Sequence, residues 1–131
     1  MGGPRLILLD THIWIWANLE PEKIDPSVQA ALTEESEIAL SSVSVWETIV
    51  AMQKGRIHTT SSPELTVRAW LTQSSLRVIP LDHEIALLSR ALPFLHEDPA
   101  DRFIAATAYQ LRCPLATADD RLRQLPWLTT M

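Results

Sequence analysis

The chain has 131 residues, of which 47% are hydrophobic and 21% are charged, a composition typical of one globular domain and not of a disordered chain. Eleven Lys and Arg residues against sixteen Asp and Glu residues give a formal net charge of −5, which argues against a protein that coats nucleic acids without specificity. No apolar run approaches the ~20 residues of a membrane span, and the single cysteine, Cys113, allows no internal disulfide and favours a cytoplasmic location.

We expect residues 1–131 to form a single domain, with residues 1–4 as a loose leader. The first strong pattern is the uninterrupted apolar run 6–9 (LILL), which predicts a strand buried on both faces, as in a parallel sheet. Asp10 follows at the carboxyl end of this strand, where open α/β sheets bind their ligands. Asp10 and Thr11 could equally be the cap of a helix that runs through 13–16.

The next elements follow a turn rich in proline and charge at 20–26. Asp25 and Pro26 are expected to open a helix that ends near Glu35, and 38–41 is a short second strand. Ser44 and Glu47 are spaced as a capping box for a helix that reaches Gly55. The capping box is a sufficient structural reason for Glu47, and a functional role stays open beside it.

In the middle of the chain, predicted helices and strands alternate in the same way. A helix is predicted over 62–74, a strand over 77–81 and a helix over 85–92. Asp82 caps the last of these, and it is an acid after a strand that we do not expect to act in a functional site.

Residues 93–102 break that helix and begin the next. The run 103–111 is apolar nearly all round, which predicts a largely buried helix. Asp98 suits its cap, with Pro99 behind it, and Asp101 suits the helix dipole. Because the helix does not need both acids for these purposes, they are the first indication of a functional site.

The last part of the chain predicts a short strand over 113–117 and a brief helix after it. Thr117 could cap this helix, with Asp120 three residues on. Trp127 and Leu128 could form a final edge strand. The sequence contains no internal repeat and no low-complexity segment.

The alternation of strands and helices predicts an α/β protein, a three-layer α/β/α sandwich with a mostly parallel central sheet. Asp10 would then lie at the carboxyl edge of the sheet, and Glu47, Asp101 and Asp119 would reach it from the starts of neighbouring helices. Close carboxylates repel one another unless a cation lies among them, and an all-oxygen site suits Mg²⁺ or Mn²⁺. Zinc is not expected, because Cys113 and four scattered histidines offer no close-spaced pair of ligands.

Four segments in order, 8–12 (LLDTH), 44–47 (SVWE), 96–102 (HEDPADR) and 117–119 (TAD), resemble the successive motifs of PIN-domain proteins. The nearest branch is that of the VapC-like toxins of bacterial and archaeal toxin–antitoxin pairs. The resemblance implies that Asp10, Glu47, Asp101 and Asp119 are the catalytic and metal-binding acids. The residues that it implies in secondary roles are Thr11, Asp98, Arg102, Thr117 and Asp120. Arg102 could hold a carboxylate in place or meet a substrate phosphate.

The resemblance further implies a metal-dependent endoribonuclease, the toxin of such a pair, that hydrolyses RNA phosphodiester bonds with metal-activated water. The expected partners are an RNA substrate, a cognate antitoxin and a second copy of the chain. Trp14 and Trp16 could serve a dimer, an antitoxin groove or simply the core. Basic residues that could contact the substrate are Lys54, Arg56, Arg102, Arg112, Arg121 and Arg123. The alternative is a catalytically inactive PIN fold that acts only as a binding module for protein or RNA.

Overall fold

The structure, a computed structural model, describes residues 5–33, 36–72 and 75–131. The predicted leader at 1–4 and the predicted helix ends at Glu35 and Ser74 lie outside the described residues. The strands are β1 (Arg5–Leu9), β2 (Ser36–Ser41), β3 (Leu76–Ile79) and β4 (Leu115–Ala116). The helices are α1 (Thr11–Leu19), α2 (Pro26–Thr33), α3 (Ser42–Gln53), α4 (Pro63–Thr72), α5 (His83–Ala91), α6 (Pro99–Leu111) and α7 (Asp120–Arg123), with a 3₁₀ turn at Pro21–Lys23.

The strands form a parallel sheet in the order β3-β2-β1-β4. Side chains alternate along β1, so that Leu8 faces one core and Ile7 and Leu9 face the other. The core on the Leu8 side is closed by α5 and α6, and the other core is closed by α1, α2 and α4. The predicted three-layer sandwich with a parallel sheet is therefore confirmed.

Helix α6 lies against the sheet with Ile104, Ala105 and Ala106 fully buried. Small alanine side chains allow the helix to approach the sheet closely. Because most of the helix is buried, its sequence is apolar on nearly every face. The helix begins at Pro99, and Asp98 caps it by accepting a hydrogen bond of 3.1 Å from the Asp101 N–H. The buried helix and its cap are as predicted, and the cap brings Asp98 and Asp101 to the edge of the sheet.

The predicted capping box at Ser44 is wrong. Helix α3 follows β2 without a loop, and Ser41 is its cap, accepting a hydrogen bond of 3.1 Å from the Val43 N–H. Ser44 therefore lies inside the helix, and the Glu47 side chain is not used to cap it. This correction removes the structural reason for Glu47.

Two predictions near the carboxyl terminus also differ from the structure. Asp119, and not Thr117, caps α7, because its side chain accepts the Arg121 N–H. The predicted edge strand at 127–128 is wrong, because these residues belong to a turn in which the Leu128 N–H donates to Leu125 O. The pairing with β4 comes later, in 129–131, where the Leu115 N–H donates to Thr129 O and the Met131 N–H to Leu115 O. Across the described ranges, no helix has the length and apolar character that a membrane crossing requires.

Candidate active site

A cleft of about 330 Å³ opens at the carboxyl edge of the sheet. All four acids expected there line it: Asp10 from the end of β1, Glu47 from α3, Asp101 from the first turn of α6 and Asp119 from the cap of α7. The remaining side chains that line this acid cleft are Thr11, His12, Trp16, Asp98, Ala118 and Arg121. The parallel strands therefore gather acids that lie far apart in the sequence.

Asp10 is the most buried of the four, with 6% of its surface exposed. Its Oδ1 accepts the Thr11 N–H at 2.9 Å, and its Oδ2 accepts the Thr117 hydroxyl at 2.7 Å. Burial raises the pKa of Asp10 above its ordinary value, and the charge of Asp101 adds to the shift, although the hydrogen bond from Thr117 opposes it. Asp10 is thus a fixed carboxylate whose negative charge is unfavourable without a cation nearby.

Glu47 is held by Thr11, whose hydroxyl donates to Glu47 Oε1 at 2.5 Å and lies 2.8 Å from the Ser44 hydroxyl. Burial raises the pKa of Glu47, and the charges of Asp101 and Asp10 raise it further. The Thr11 N–H thus donates to Asp10 at the end of β1, and its hydroxyl donates to Glu47 on α3. This contact gives Thr11 a positioning role in the cleft.

Asp101 is shared between a histidine and an arginine. His96 Nε2 lies 2.9 Å from Asp101 Oδ2, and Arg121 Nη2 lies 3.7 Å from the same oxygen. Burial raises the pKa of Asp101, and the charges of Asp98 and Asp119 also raise it, against the effect of His96. The effect of these charges on Asp101 follows from the geometry, because all three acids line the same cleft.

Asp119 differs from the other three acids because the Arg121 guanidinium forms hydrogen bonds with it. The Arg121 guanidinium donates to Asp119 at 3.1 and 3.3 Å. Burial alone would raise the pKa of Asp119, but the hydrogen bonds and the charge of Arg121 lower it below its ordinary value. Asp119 is therefore the acid that is most readily ionised in the metal-free cleft.

His96 is a site residue that the sequence analysis does not single out, although it stands in the same motif as Asp101. Arg121 is among the basic residues proposed as substrate contacts, but its ion pairs with Asp101 and Asp119 were not predicted. Its signal in the sequence is its place in the short helix that Asp119 caps.

Three residues expected in secondary roles do not line the cleft: Thr117, which donates to Asp10, and Arg102 and Asp120. Arg102 is 7% exposed, and its guanidinium donates to the carbonyls of Ser89 and His96 and to Glu97, and lies over the Phe94 ring. Arg102 therefore holds the Glu97 carboxylate, which does not line the cleft, and its own side chain does not line the cleft either. Asp120 is exposed as the first residue of α7 and does not line the cleft.

The carboxylates of the cleft are suitable ligands for a hard divalent cation, because Mg²⁺ and Mn²⁺ prefer oxygen ligands. A bound cation would also offset the repulsion among the carboxylates. The side chains do not form a closed cage: among the described residues, no three acids, histidines or cysteines stand in an arrangement that could hold a metal ion. Each carboxylate is instead turned to its own partner, which is Thr117, Thr11, His96 or Arg121. Ligation would require the carboxylates to move closer together, but each has about four lone-pair sites and can bind a cation while it keeps its present partner.

The fold and the cleft define a class of protein, the α/β sandwiches that carry an acidic site at the carboxyl edge of a parallel sheet. Within this class, the chain belongs to the PIN domain family, whose model matches residues 7–128. The family expected from the four motifs is therefore confirmed.

One curated relative and several solved structures are similar to the chain. It is 32% identical over 120 residues to Ribonuclease VapC22 of Mycobacterium tuberculosis, covering 89% of both chains. VapBC2 of Rickettsia felis, bound to a DNA fragment from its promoter, matches with a TM-score of 0.73 and 19% identity over 96% of this chain and 97% of that chain. A toxin–antitoxin complex from Klebsiella pneumoniae matches with a TM-score of 0.67 and 24% identity over 95% and 96%. At these identities the solved structures support the fold.

Proposed function

We propose that this chain is an endoribonuclease of the VapC type, the toxin of a toxin–antitoxin pair, which hydrolyses RNA phosphodiester bonds with the help of Mg²⁺ or Mn²⁺. The observation that carries the proposal is the set of four carboxylates in one cleft, three of which have raised pKa values because they are buried together. A relative that is 32% identical and named as a ribonuclease supports the same activity.

Asp10 is the first candidate for a metal ligand, with Asp101 and Glu47 next. Bound among these acids, Mg²⁺ or Mn²⁺ would lower the pKa of a water molecule and stabilise negative charge on the phosphoryl group. Thr117 and Thr11 keep the Asp10 carboxylate fixed toward the cleft. Glu47 is held by the Thr11 hydroxyl at the cleft, where it can bind the metal ion or accept a hydrogen bond from the attacking water.

Arg121 is the cation of the cleft that can meet the substrate. Its guanidinium is 57% exposed and spans Asp119 and Asp101, so it can exchange a carboxylate for a phosphate oxygen when RNA enters. Asp119 would then be free to orient water or to bind a metal ion. With water as the nucleophile, the products carry a 5′-phosphate and a 3′-hydroxyl.

The partners we propose are a cognate antitoxin and a second copy of the chain. Similar structures include a VapBC pair and a toxin–antitoxin complex, and an antitoxin that offers Arg or Lys to the acid cleft would inhibit it. The helix expected to carry a dimer does not suit that purpose, because Trp14 is 2% exposed and packs against Trp70. A better surface is the apolar pocket lined by Ser42, Val43, Trp46, Leu81, Pro99, Ala100 and Phe103.

The proposal is tested by incubating the purified chain with RNA and Mn²⁺ and by analysing the ends of the fragments. We expect cleavage that leaves 5′-phosphates, is stopped by chelator, and is abolished in Asp10→Asn. Asp82→Asn is the matched control, because Asp82 caps α5 away from the cleft. Fragments that end in a 2′,3′-cyclic phosphate would contradict the water mechanism, and RNA that is bound but left intact would favour the binding-module alternative.

A further inference from the structure

A second cleft joins the acid cleft along α1, and we call it the side groove. It has a volume of about 600 Å³ and shares Thr11, His12, Trp16 and Glu47 with the acid cleft. Its outer wall is residues 56–58, which follow α3. The two clefts therefore form one continuous path that passes the four carboxylates.

The side groove carries an aromatic pair. His12 and Trp16 lie four residues apart on α1, on the same face of the helix, with their ring centroids 6.1 Å apart and their planes at 58°. His12 is exposed and Trp16 is partly buried. Trp14, by contrast, lies in the core. Trp16 packs against the same core on one side and lines the groove with the rest of its side chain.

The side groove also carries a free cation, Arg56. Helix α3 ends at Gln53, and Gly55 in the turn after it has a φ of +77°, which suits glycine. The Gly55 N–H donates to Met52 O and the Arg56 N–H to Ala51 O, the pattern of a Schellman turn. This turn sets Arg56 on the groove wall, where it is exposed and forms no ion pair with any described side chain.

We propose that the side groove holds the single-stranded RNA segment next to the bond that is cut, an inference that rests on the proposed ribonuclease activity. A nucleobase stacks on the ring of Trp16 beside His12, and a neighbouring phosphate pairs with the guanidinium of Arg56. Aromatic stacking accepts every base because each has a π face, and a guanidinium matches the geometry of a phosphate. An RNA duplex keeps its bases stacked within the helix and cannot present one to the groove.

The chemistry of the groove favours RNA over a protein helix as the occupant. The groove is lined by apolar side chains, among them Ile15, Leu19 and Ile57, and by the carboxylates of Glu20 and Glu47. A protein helix that binds through an apolar face would cover the apolar side chains, but it would give Arg56 and the imidazoles of His12 and His58 no partner. Cationic and aromatic groups interleaved beside a nuclease site are the combination that binds single strands.

The test measures binding by fluorescence anisotropy, in chelator so that no cleavage occurs. The probe is a fluorescein-labelled single-stranded RNA of mixed sequence and about twelve nucleotides, within the range of single-strand site sizes. We expect Trp16→Leu to weaken binding about tenfold and Trp16→Phe to restore most of it. Arg56→Gln should weaken binding several-fold and lower the salt slope by about one. Arg5→Gln is the matched control, since Arg5 is exposed at the start of β1 and does not line the groove.

The outcomes separate this inference from the proposed function. A wild-type chain that neither binds nor cleaves RNA would overturn the ribonuclease assignment itself. If the wild type binds and cleaves RNA, but Trp16→Leu and Arg56→Gln bind it as tightly as the wild type, the function stands and the side groove is not the RNA path. Equal affinity for a duplex of the same sequence would also overturn the inference. Because Trp16→Phe keeps an aromatic ring, it remains informative if Trp16→Leu folds poorly.

Discussion

Thr117 follows Asp10 by 107 residues in the sequence, and its hydroxyl donates a hydrogen bond of 2.7 Å to Asp10 Oδ2. The contact exists because β1 and β4 are parallel neighbours, with Leu9 paired to Ala116, so that the next residue of each strand reaches the same edge. Thr117 also accepts the Asp119 N–H at 3.0 Å. One hydroxyl therefore ties two acids of the cleft to the sheet.

Removing this hydroxyl should damage both stability and activity. In Thr117→Val the buried Asp10 carboxylate loses a donor, which should cost about 1.5–3 kcal/mol, as for hydrogen bonds to charged groups. The pKa of Asp10 should rise further, because the lost bond is one that lowers it. We expect a lower melting temperature and slower RNA cleavage in Mn²⁺, and Thr117→Ser should stay close to the wild type.

Thr107→Val is the matched control for this experiment. Thr107 is also 1% exposed, but its hydroxyl donates to the Phe103 carbonyl within α6. Its loss should leave cleavage unchanged. Equal losses of activity in Thr107→Val and Thr117→Val would show that the effect is general destabilisation.

In the metal-free protein, the contribution of Asp10, Glu47 and Asp101 to stability should fall as the pH rises above the ordinary carboxyl pKa values of 3.8 for Asp and 4.5 for Glu. Their pKa values are raised in the folded state, so between the unfolded and folded pKa values these three groups bind more protons in the folded chain than in the unfolded chain. Their contribution to the free energy of unfolding therefore falls with rising pH through this window, and its loss is complete above it.

Asp10→Asn isolates this effect, because acids with lowered pKa values, such as Asp119, are present in both proteins and cancel in the comparison. In chelator, the free energy of unfolding of Asp10→Asn should increase relative to that of the wild type as the pH rises from about 4 to neutrality. Melting curves at a series of pH values give the difference, and a difference that does not change with pH would contradict the raised pKa of Asp10.

A divalent cation should bind in the acid cleft, with Mn²⁺ or Mg²⁺ as the working ion and not Zn²⁺. The reason is that the cleft supplies carboxylate oxygens, whereas the partly buried imidazole of His96 is already in contact with Asp101. Titration calorimetry should show binding that disappears in Asp10→Asn and persists in Asp82→Asn. Undiminished binding in Asp10→Asn would place the metal elsewhere.

The sequence predicted the positions of the four acids because their placement depends on the topology. Once apolar runs such as 6–9 are read as parallel strands, the residues after them must meet at one edge. It did not predict their partners, since Glu47 meets Thr11 across 36 residues and such contacts are decided by packing. The misplaced cap of α3 has a local cause: Ser41, Ser42 and Ser44 all offer a cap, and the direct passage from β2 into α3 selects the first.

The apolar pocket at Trp46 predicts where two copies would meet. Trp46 is 61% exposed beside Phe103 and Pro99, an arrangement that favours burial against another surface. Sedimentation at micromolar concentration should show a dimer for the wild type and a monomer for Trp46→Glu. Leu65→Glu is the control, since Leu65 is also 61% exposed but lies on α4; a wild-type monomer would exclude the dimer.

Asp101→Asn separates a helix-terminal acid from a member of the metal site. If Asp101 served mainly the dipole of α6, the change should cost about 0.3–1 kcal/mol of stability, and RNA cleavage would survive. The structure favours the other role, because Asp98 already caps the helix and the charges of Asp98 and Asp119 raise the pKa of Asp101.

For a member of the metal site, Asp101→Asn relieves repulsion in the metal-free cleft, so stability in chelator should stay level or rise. Cleavage in Mn²⁺ should fall by orders of magnitude, because the change removes a charged ligand from the site. Asp82→Asn should leave cleavage alone, since its side chain only accepts the Ile85 N–H and asparagine caps a helix about as well as aspartate. Lower stability together with retained cleavage in Asp101→Asn would show that Asp101 stabilises helix α6 and is not a member of the active site.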